Sequence, residues 1–303
     1  MSSADDRPAP PAPYPPAEPA AGSAGRVAAL VGGIGALVLA AGGALFYADV
    51  ANSRTESSHQ SYDAAGTVEL VADGDVAVRA AEGDVEVEAI AHSGLTGPSY
   101  SSRETADRLV VTHECRAFLS LFRCSGELDV TLPAGTDVVV RTSNGEVIAA
   151  GIAGTLEVGS SNGDVESSGN AGRQVLSSSN GDVVVHDAGG DVSADTSNGG
   201  IEAVRIAGSL DSVTSNGRIV VADVSGDVTA GSSNGRIEIE GFDGDVRATT
   251  SNGDVTVTGD GEPVRLTIST GNGSETVEGA TDPDADRTVE IETSNGDASY
   301  LGR

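Results

Sequence analysis

Ser-Asn-Gly recurs with its asparagine at Asn144, Asn162, Asn180, Asn198, Asn216, Asn234 and Asn252, an unbroken 18-residue period. A second glycine falls halfway between copies, so that Gly145, Gly154, Gly163, Gly172, Gly181 and their successors to Gly253 return every nine residues. A globular fold would not hold such a register. Units too small to bury a core alone must stack on one another, which makes the chain a solenoid.

Three residues after each Asn stand Val147, Val165, Val183, Ile201, Ile219, Ile237 and Val255, and two further on Ala149, Ser167, Val185, Ala203, Val221, Ile239 and Val257. This is the period-two alternation of a strand. The other half-repeat offers Leu156, Val192, Leu210, Val228, Val246 and Val264, then Val158, Leu176, Ala194, Ala230, Ala248 and Leu266, with Gln174 breaking the pattern. The predicted fold is all-β: a single-stranded parallel β-helix, or β-solenoid, of 18-residue coils, each with two short strands and two turns. Seven such coils at ~4.8 Å each rise roughly 34 Å around a core about 10 Å thick. With 3% aromatic residues and no Trp, that core must be built from Val, Ile, Leu and Ala.

The Asn-Gly pairs are expected at tight corners that need positive φ, which both residues tolerate. Stacked coil on coil, the asparagines should also form an amide ladder. Upstream, Gly74-Asp75-Val76-Ala77-Val78 and Gly83-Asp84-Val85-Glu86-Val87 extend the pattern; downstream, Gly271-Asn272-Gly273 and Ser294-Asn295-Gly296 mark the last corners. The solenoid is therefore expected over residues 63–303. Its open ends need caps, for which 92–108 and Tyr300-Leu301 are the candidates.

One insert, near 112–127, interrupts the repeat: Cys115 and Cys124 bracket Phe118, Leu119, Leu121 and Phe122. Outside a membrane the two cysteines should be oxidised, closing a loop whose flanks alternate like a hairpin. His113 with two thiols matches no standard zinc spacing. The four apolar residues either cap the core or form a partner patch.

Ahead of the solenoid, residues 1–25 are rich in Pro and Ala, a composition that cannot bury a core and is expected to be disordered. The segment 26–48 contains 22 uncharged residues from Val27 to Ala48, roughly 33 Å as a helix, which fits one transmembrane span. Arg7 and Arg26 on its amino side, against Arg54 beyond it, favour an inside amino terminus and place the carboxy-terminal domain outside a cell membrane, joined through a linker at 49–62.

The formal net charge is -29, from 46 acidic residues against 17 basic ones, all Arg. Phosphate-binding functions need the opposite sign, which excludes nucleic acid as a partner. A stacked calcium array fails because the position after the corner glycine is Asp164, Asp182 and Asp254 in some coils but Arg218 and Arg236 in others. Polysaccharide-processing β-helices build clefts from long loops and paired carboxylates, whereas these turns are minimal and His59, His92, His113 and His186 are scattered. No cofactor and no catalytic residue is expected.

The run Leu128-Asp-Val-Thr-Leu-Pro-Ala-Gly-Thr-Asp-Val-Val-Val-Arg-Thr-Ser-Asn-Gly-Glu-Val147 resembles the bacterial putative-adhesin family, also called Toastrack-type, in which serial Ser-Asn-Gly-Asp-Val coils follow a membrane anchor. The resemblance covers roughly residues 63–303 and implies a non-enzymatic cell-envelope protein that presents a rigid acidic solenoid to a surface or to an envelope protein partner. A sensor or regulatory subunit of an envelope-stress response is the alternative it implies.

Overall fold

The computed structural model describes Gly43 and residues 47–115 and 124–302. Of a first compact unit, Met1–Ala48, only Gly43, Tyr47 and Ala48 are described, all helical. The expected tail and nearly all of the expected span at 26–48 lie outside the described residues, and among those described no helix is long and apolar enough to cross a membrane.

From Asp49 onward the chain forms two β-sheets, of thirteen and twelve strands. Each coil crosses between them. Leu156–Ser160 lies in the twelve-stranded sheet, a Ser-Asn-Gly corner follows, Val165–Ser168 lies in the thirteen-stranded sheet, and a second corner returns the chain to Gln174–Ser178. Parallel pairing steps by one repeat: Leu156 faces Gln174, which faces Val192, and Val165 faces Val183, which faces Ile201. This register puts the two alternating columns of each sheet indoors, where Val147, Val165, Leu156, Leu210, Ile219 and their repeat mates are fully buried.

Two further core columns accompany them. Near the ends of the repeat strands of the twelve-stranded sheet a hydroxyl turns inward: Thr142, Ser160, Ser178, Thr196, Thr214 and Thr250 are all buried. Beyond the second corner Ile152, Asn170, Ala188, Ile206, Val224 and Phe242 line up at the same period and are equally buried. Gln174 keeps its place in the leucine column rather than breaking it. Its amide oxygen accepts a bond from Ser167 Oγ, and Asn170 Nδ2 reaches Ser167 Oγ at 2.7 Å and the Ala149 carbonyl at 3.0 Å. The Ile152 N–H donates to Asn170 Oδ1 at 2.7 Å, so the three polar side chains satisfy one another inside an apolar core, as burial requires.

The corners correct one expectation. From Asn144 to Asn252 positive φ occurs not at the Asn-Gly corner but at the opposite one, in a column of Gly151, Gly169, Asp187, Arg205, Asp223 and Gly241 with φ of 57–76°. Glycine at the Asn-Gly corner answers instead to space: a Cβ on Gly217 would lie 1.7 Å from the Gly199 carbonyl oxygen in the coil below. Consecutive coils touch there backbone to backbone.

At both ends the order in space departs from the order in the chain. The coil Thr67–Ala72 and Val76–Ala81 lies directly against the coil that starts at Asp137, with Asp137–Thr142 and Val147–Ala150 as its neighbours. The strands Arg108–Glu114 and Cys124–Pro133 stack on its far side. These two strands therefore belong to different sheets, so the flanks of the two cysteines do not pair with each other as the expected hairpin. Val85–Ser93 is not the second strand of a coil either; it reverses at Gly83, with φ of 109°, and pairs antiparallel with Cys124–Pro133 and with Arg54–Tyr62, inside the segment expected as a linker. Within 92–108, Ser99–Glu104 forms the edge of the twelve-stranded sheet.

At the other end the chain's last coil, Thr288–Asn295 and Ala298–Leu301, inserts between Val246–Thr258 and the coil Arg265–Val277. Tyr300 is thus an interior plug, 1% exposed, rather than the outermost cap. The leucine column continues through Val289, with which Leu266 aligns, while Val264 forms only an isolated bridge to Thr281. The expected register of Val264 and Leu266 is therefore shifted by two residues, because the connection is two residues longer than the repeat: Asn272 follows Asn252 by 20 residues, not 18.

Candidate functional site

The Asn-Gly corners form one continuous edge. Nδ2 of Asn162, Asn180, Asn198, Asn216, Asn234 and Asn252 each donates to Oδ1 of the asparagine one coil earlier, from Asn144 to Asn234, at 2.9–3.1 Å. The second proton of each amide goes to the preceding coil's serine carbonyl, as from Asn180 to Ser161 at 3.0 Å. Because of the inserted coil, the row continues from Asn252 to Asn295 and ends at Asn272. Behind it, the hydroxyls of Thr142, Ser160, Ser178, Thr196 and Thr214 each accept from the corner glycine three residues on and donate to the glycine carbonyl one coil back, Ser178 with Gly181 at 3.0 Å and Gly163 at 2.9 Å, while Thr250 and Thr293 only donate. Each of the first group thus satisfies two backbone groups that a tight corner would otherwise leave unpaired.

Carboxylates next to the corners are used in the same way. Asp164 Oδ1 accepts the Asp182 N–H at 2.8 Å and Asp182 Oδ1 accepts the Gly200 N–H at 2.7 Å; at the opposite corner Asp191, Asp227 and Asp245 take the N–H groups of Ser209, Asp245 and Thr288. Where arginine replaces aspartate, Arg236 pairs with Asp254 at 2.9 Å and Arg218 pairs with Glu238. Much of the acidic surface is therefore joint material between coils.

Ion pairs gather at the ends. Arg108 and Arg141 both hold Glu69 at 2.5 Å across three adjacent strands. At the other end Arg287, its side chain 17% exposed, bonds both carboxylate oxygens of Asp260, the Phe242 carbonyl and, at 3.4 Å, Glu262, and its guanidinium lies 5.7 Å from the Phe242 ring centre. The hydrogen bond from Arg287 holds the Asp260 carboxyl below the ordinary carboxylate range, and Asp260 in turn raises the arginine. In mid-stack the Arg205 fork does the same to Asp187. Burial pushes the Tyr300 phenol up, and burial plus a bond to Tyr62 pushes Tyr100 up.

Cys115 and Cys124 are joined, with an S–S distance of 1.96 Å, where the coil of Arg108–Glu114 and Cys124–Pro133 turns. His113 points inward, 2% exposed, with Nδ1 3.1 Å from the Glu127 carbonyl oxygen. Phe118, Leu119, Leu121 and Phe122 lie outside the described residues. Among the described residues no group of three or more His, Cys, Asp or Glu side chains is placed to hold a metal ion. One surface depression of about 340 Å³ is lined by Arg173, Asp191, Asp211 and Asp227, side chains partly committed to the joints above.

What the sequence reading missed is the inward hydroxyl as a two-way staple and the positive-φ column. Both repeat at 18 residues, so the signal was present as Thr142, Ser160, Ser178 and as Gly151, Gly169, Gly241.

No family model and no curated protein matches the chain. Solved structures do align: a putative lipid binding protein from Parabacteroides distasonis (13% identity, 81% of this chain and 96% of that one, TM-score 0.48), a putative adhesin from Bacteroides fragilis (10%, 82% and 97%, 0.38) and a putative cell adhesion protein from Clostridium sporogenes (11%, 82% and 100%, 0.27). At such identities and TM-scores, these likenesses carry no argument about what this chain binds.

Proposed function

We propose that the chain is a membrane-anchored, non-enzymatic cell-envelope protein whose acidic solenoid presents its surface and ends to a partner. The observation that carries this reading is how side chains are spent: asparagine, aspartate and inward hydroxyl columns bond coil to coil, and the turns between them are too short to wall a cleft. A hydrolase needs converging groups free to meet a substrate. From Asp49 onward 43 acidic residues face 15 arginines, so the domain repels bare anionic polymers within a Debye length of about 8 Å in physiological salt. A protein partner meeting the apolar segment at 118–122, between Arg116 and Arg123, suits that field better than a polyanion does.

A tag placed after Arg303 tests both halves of the proposal. Antibody should stain intact cells, and the purified protein should release no reducing sugar from cell-wall glycans. Staining only after permeabilisation would remove the envelope placement, and sugar release would make the protein an enzyme.

A further inference from the structure

Nine Asn-Gly steps lie in this chain, at Asn144, Asn162, Asn180, Asn198, Asn216, Asn234, Asn252, Asn272 and Asn295. Such a step is chemically fragile. Once solvent base removes its proton, the glycine nitrogen attacks Cγ of the asparagine; a C–N bond closes a succinimide and the side-chain nitrogen leaves as ammonia. Water then opens the ring to aspartate or isoaspartate. Glycine permits this because no Cβ hinders the ring closure. The reaction needs a glycine N–H that solvent can reach and a carboxamide free to turn toward it.

The stack withholds both over most of its length. The N–H groups of Gly145, Gly163, Gly181, Gly199, Gly217 and Gly235 are each donated to the Ser or Thr hydroxyl three residues back, at 2.8–3.3 Å. From Asn162 to Asn252 each carboxamide is held from below by two bonds of its Nδ2 and from above by a bond into its Oδ1, as with Asn198, bonded to Asn180, Ser179 and Asn216.

Asn272 has little of this. It is the last member of the row, with one bond, from its Nδ2 to Asn295 Oδ1 at 2.9 Å, and no coil above to donate to its Oδ1. The hydroxyl of Thr270 donates to the Gly296 carbonyl at 2.8 Å but takes no bond from Gly273, as the Thr250 hydroxyl takes none from Gly253. Among the glycines of the nine steps, Gly273 alone is exposed. Gly271 on the other side adds a second residue without a side chain.

We propose that Asn272-Gly273 is a site of spontaneous deamidation in the folded protein, and that the amide row and the inward hydroxyls protect the interior Asn-Gly steps from the same reaction. Conversion places a carboxylate on the outermost coil, removes the donor that held Asn295, and makes the open end of an already acidic stack more acidic.

Peptide mapping by mass spectrometry of the full chain, kept folded at mildly alkaline pH and sampled over time, tests this. Asn272 should convert faster than Asn198 or Asn216 by on the order of tenfold or more, since interior steps react only from opened states. In denaturant the steps should converge to within a few-fold. The Asn272→Gln variant should lack the early acidic species. Even conversion across the folded chain, or an interior asparagine leading, would overturn the proposal. A lead of Asn272 that persists undiminished in denaturant would overturn it too, because the flanking Gly271 and not the fold would then be the cause.

Discussion

Between Asp137 and Thr258 consecutive coils stack side by side in chain order, while beyond the first and last of them that order is broken. The middle repeats one set of joints: a hydroxyl, an asparagine and often an aspartate per coil, each bonding to a neighbour 15–19 residues away. The ends use single devices. At the amino-terminal end antiparallel strands form the edge of the thirteen-stranded sheet and Arg108 and Arg141 share Glu69; at the other end the last coil is inserted and Arg287 ties the loop before it to Asp260 and Phe242. Repetition serves where every coil has two neighbours. A terminal coil has one, and an unpaired sheet edge must be managed by other means. Inserting Thr288–Leu301 one layer in leaves the chain's last strands held on both sides.

The largest effect expected from breaking the middle is at its backbone contacts. Gly217→Ala forces a Cβ within 1.7 Å of a carbonyl oxygen and should destabilise by about 3 kcal/mol or more in denaturant unfolding, whereas Gly135→Ala, with nothing within 4 Å, should be within about 0.5 kcal/mol of the parent. Next come the core columns. Leu210→Ala, fully flanked, should cost about 3 kcal/mol, and Leu266→Ala in the outermost coil, partly exposed, about 1 kcal/mol by the same measurement. Equal losses would mean that Arg265–Val277 is covered as thoroughly as the middle.

Smaller still is the amide row. Asn198→Ser removes bonds to Asn180, Ser179 and Asn216 and should lower stability by about 1 kcal/mol, while Asn272→Ser at the end of the row should be nearly silent. The smallest effect is a pH dependence at the carboxy-terminal end. Asp260 is held below its unfolded pKa by Arg287, so its contribution is complete above about pH 4 and fades as the pH falls through the lower folded value. Arg287→Gln should lower the melting temperature at neutral pH and remove this part of the acid sensitivity; parallel melting curves for the two proteins from pH 7 to pH 2 would show that the pair does not act this way.

The contrast between middle and ends also governs what the sequence makes legible. The columns through Val165, Leu156 and Asn162 can be read directly, because each position is filled by similar residues at a fixed period. The ends cannot be read that way, since inserting one coil between two others leaves no local trace. Gly83-Asp84-Val85 looks like Gly74-Asp75-Val76, yet one makes a reversal and the other a coil corner, and the choice rests on pairing with strands more than 30 residues away. Asp187, Arg205 and Asp223 hide the positive-φ column for a different reason: non-glycine residues adopt that conformation there, two of them joined by the Asp187–Arg205 ion pair. Among candidate functional residues, the asparagine row was legible from identity alone, while its weak end at Asn272 depends on the inserted coil.

Amide hydrogen exchange over residues 265–301 tests the stacking order most directly. With Thr288–Asn295 inside and Arg265–Asn272 at the open edge, the amides of Val289 to Thr293 should all be protected. Alternate amides of Leu266 to Thr270, which face the edge, should exchange faster by on the order of a hundredfold. Uniform protection across 265–272 with rapid exchange in 288–295 would mean that the coils stack in chain order to the end, and would contradict the inserted coil.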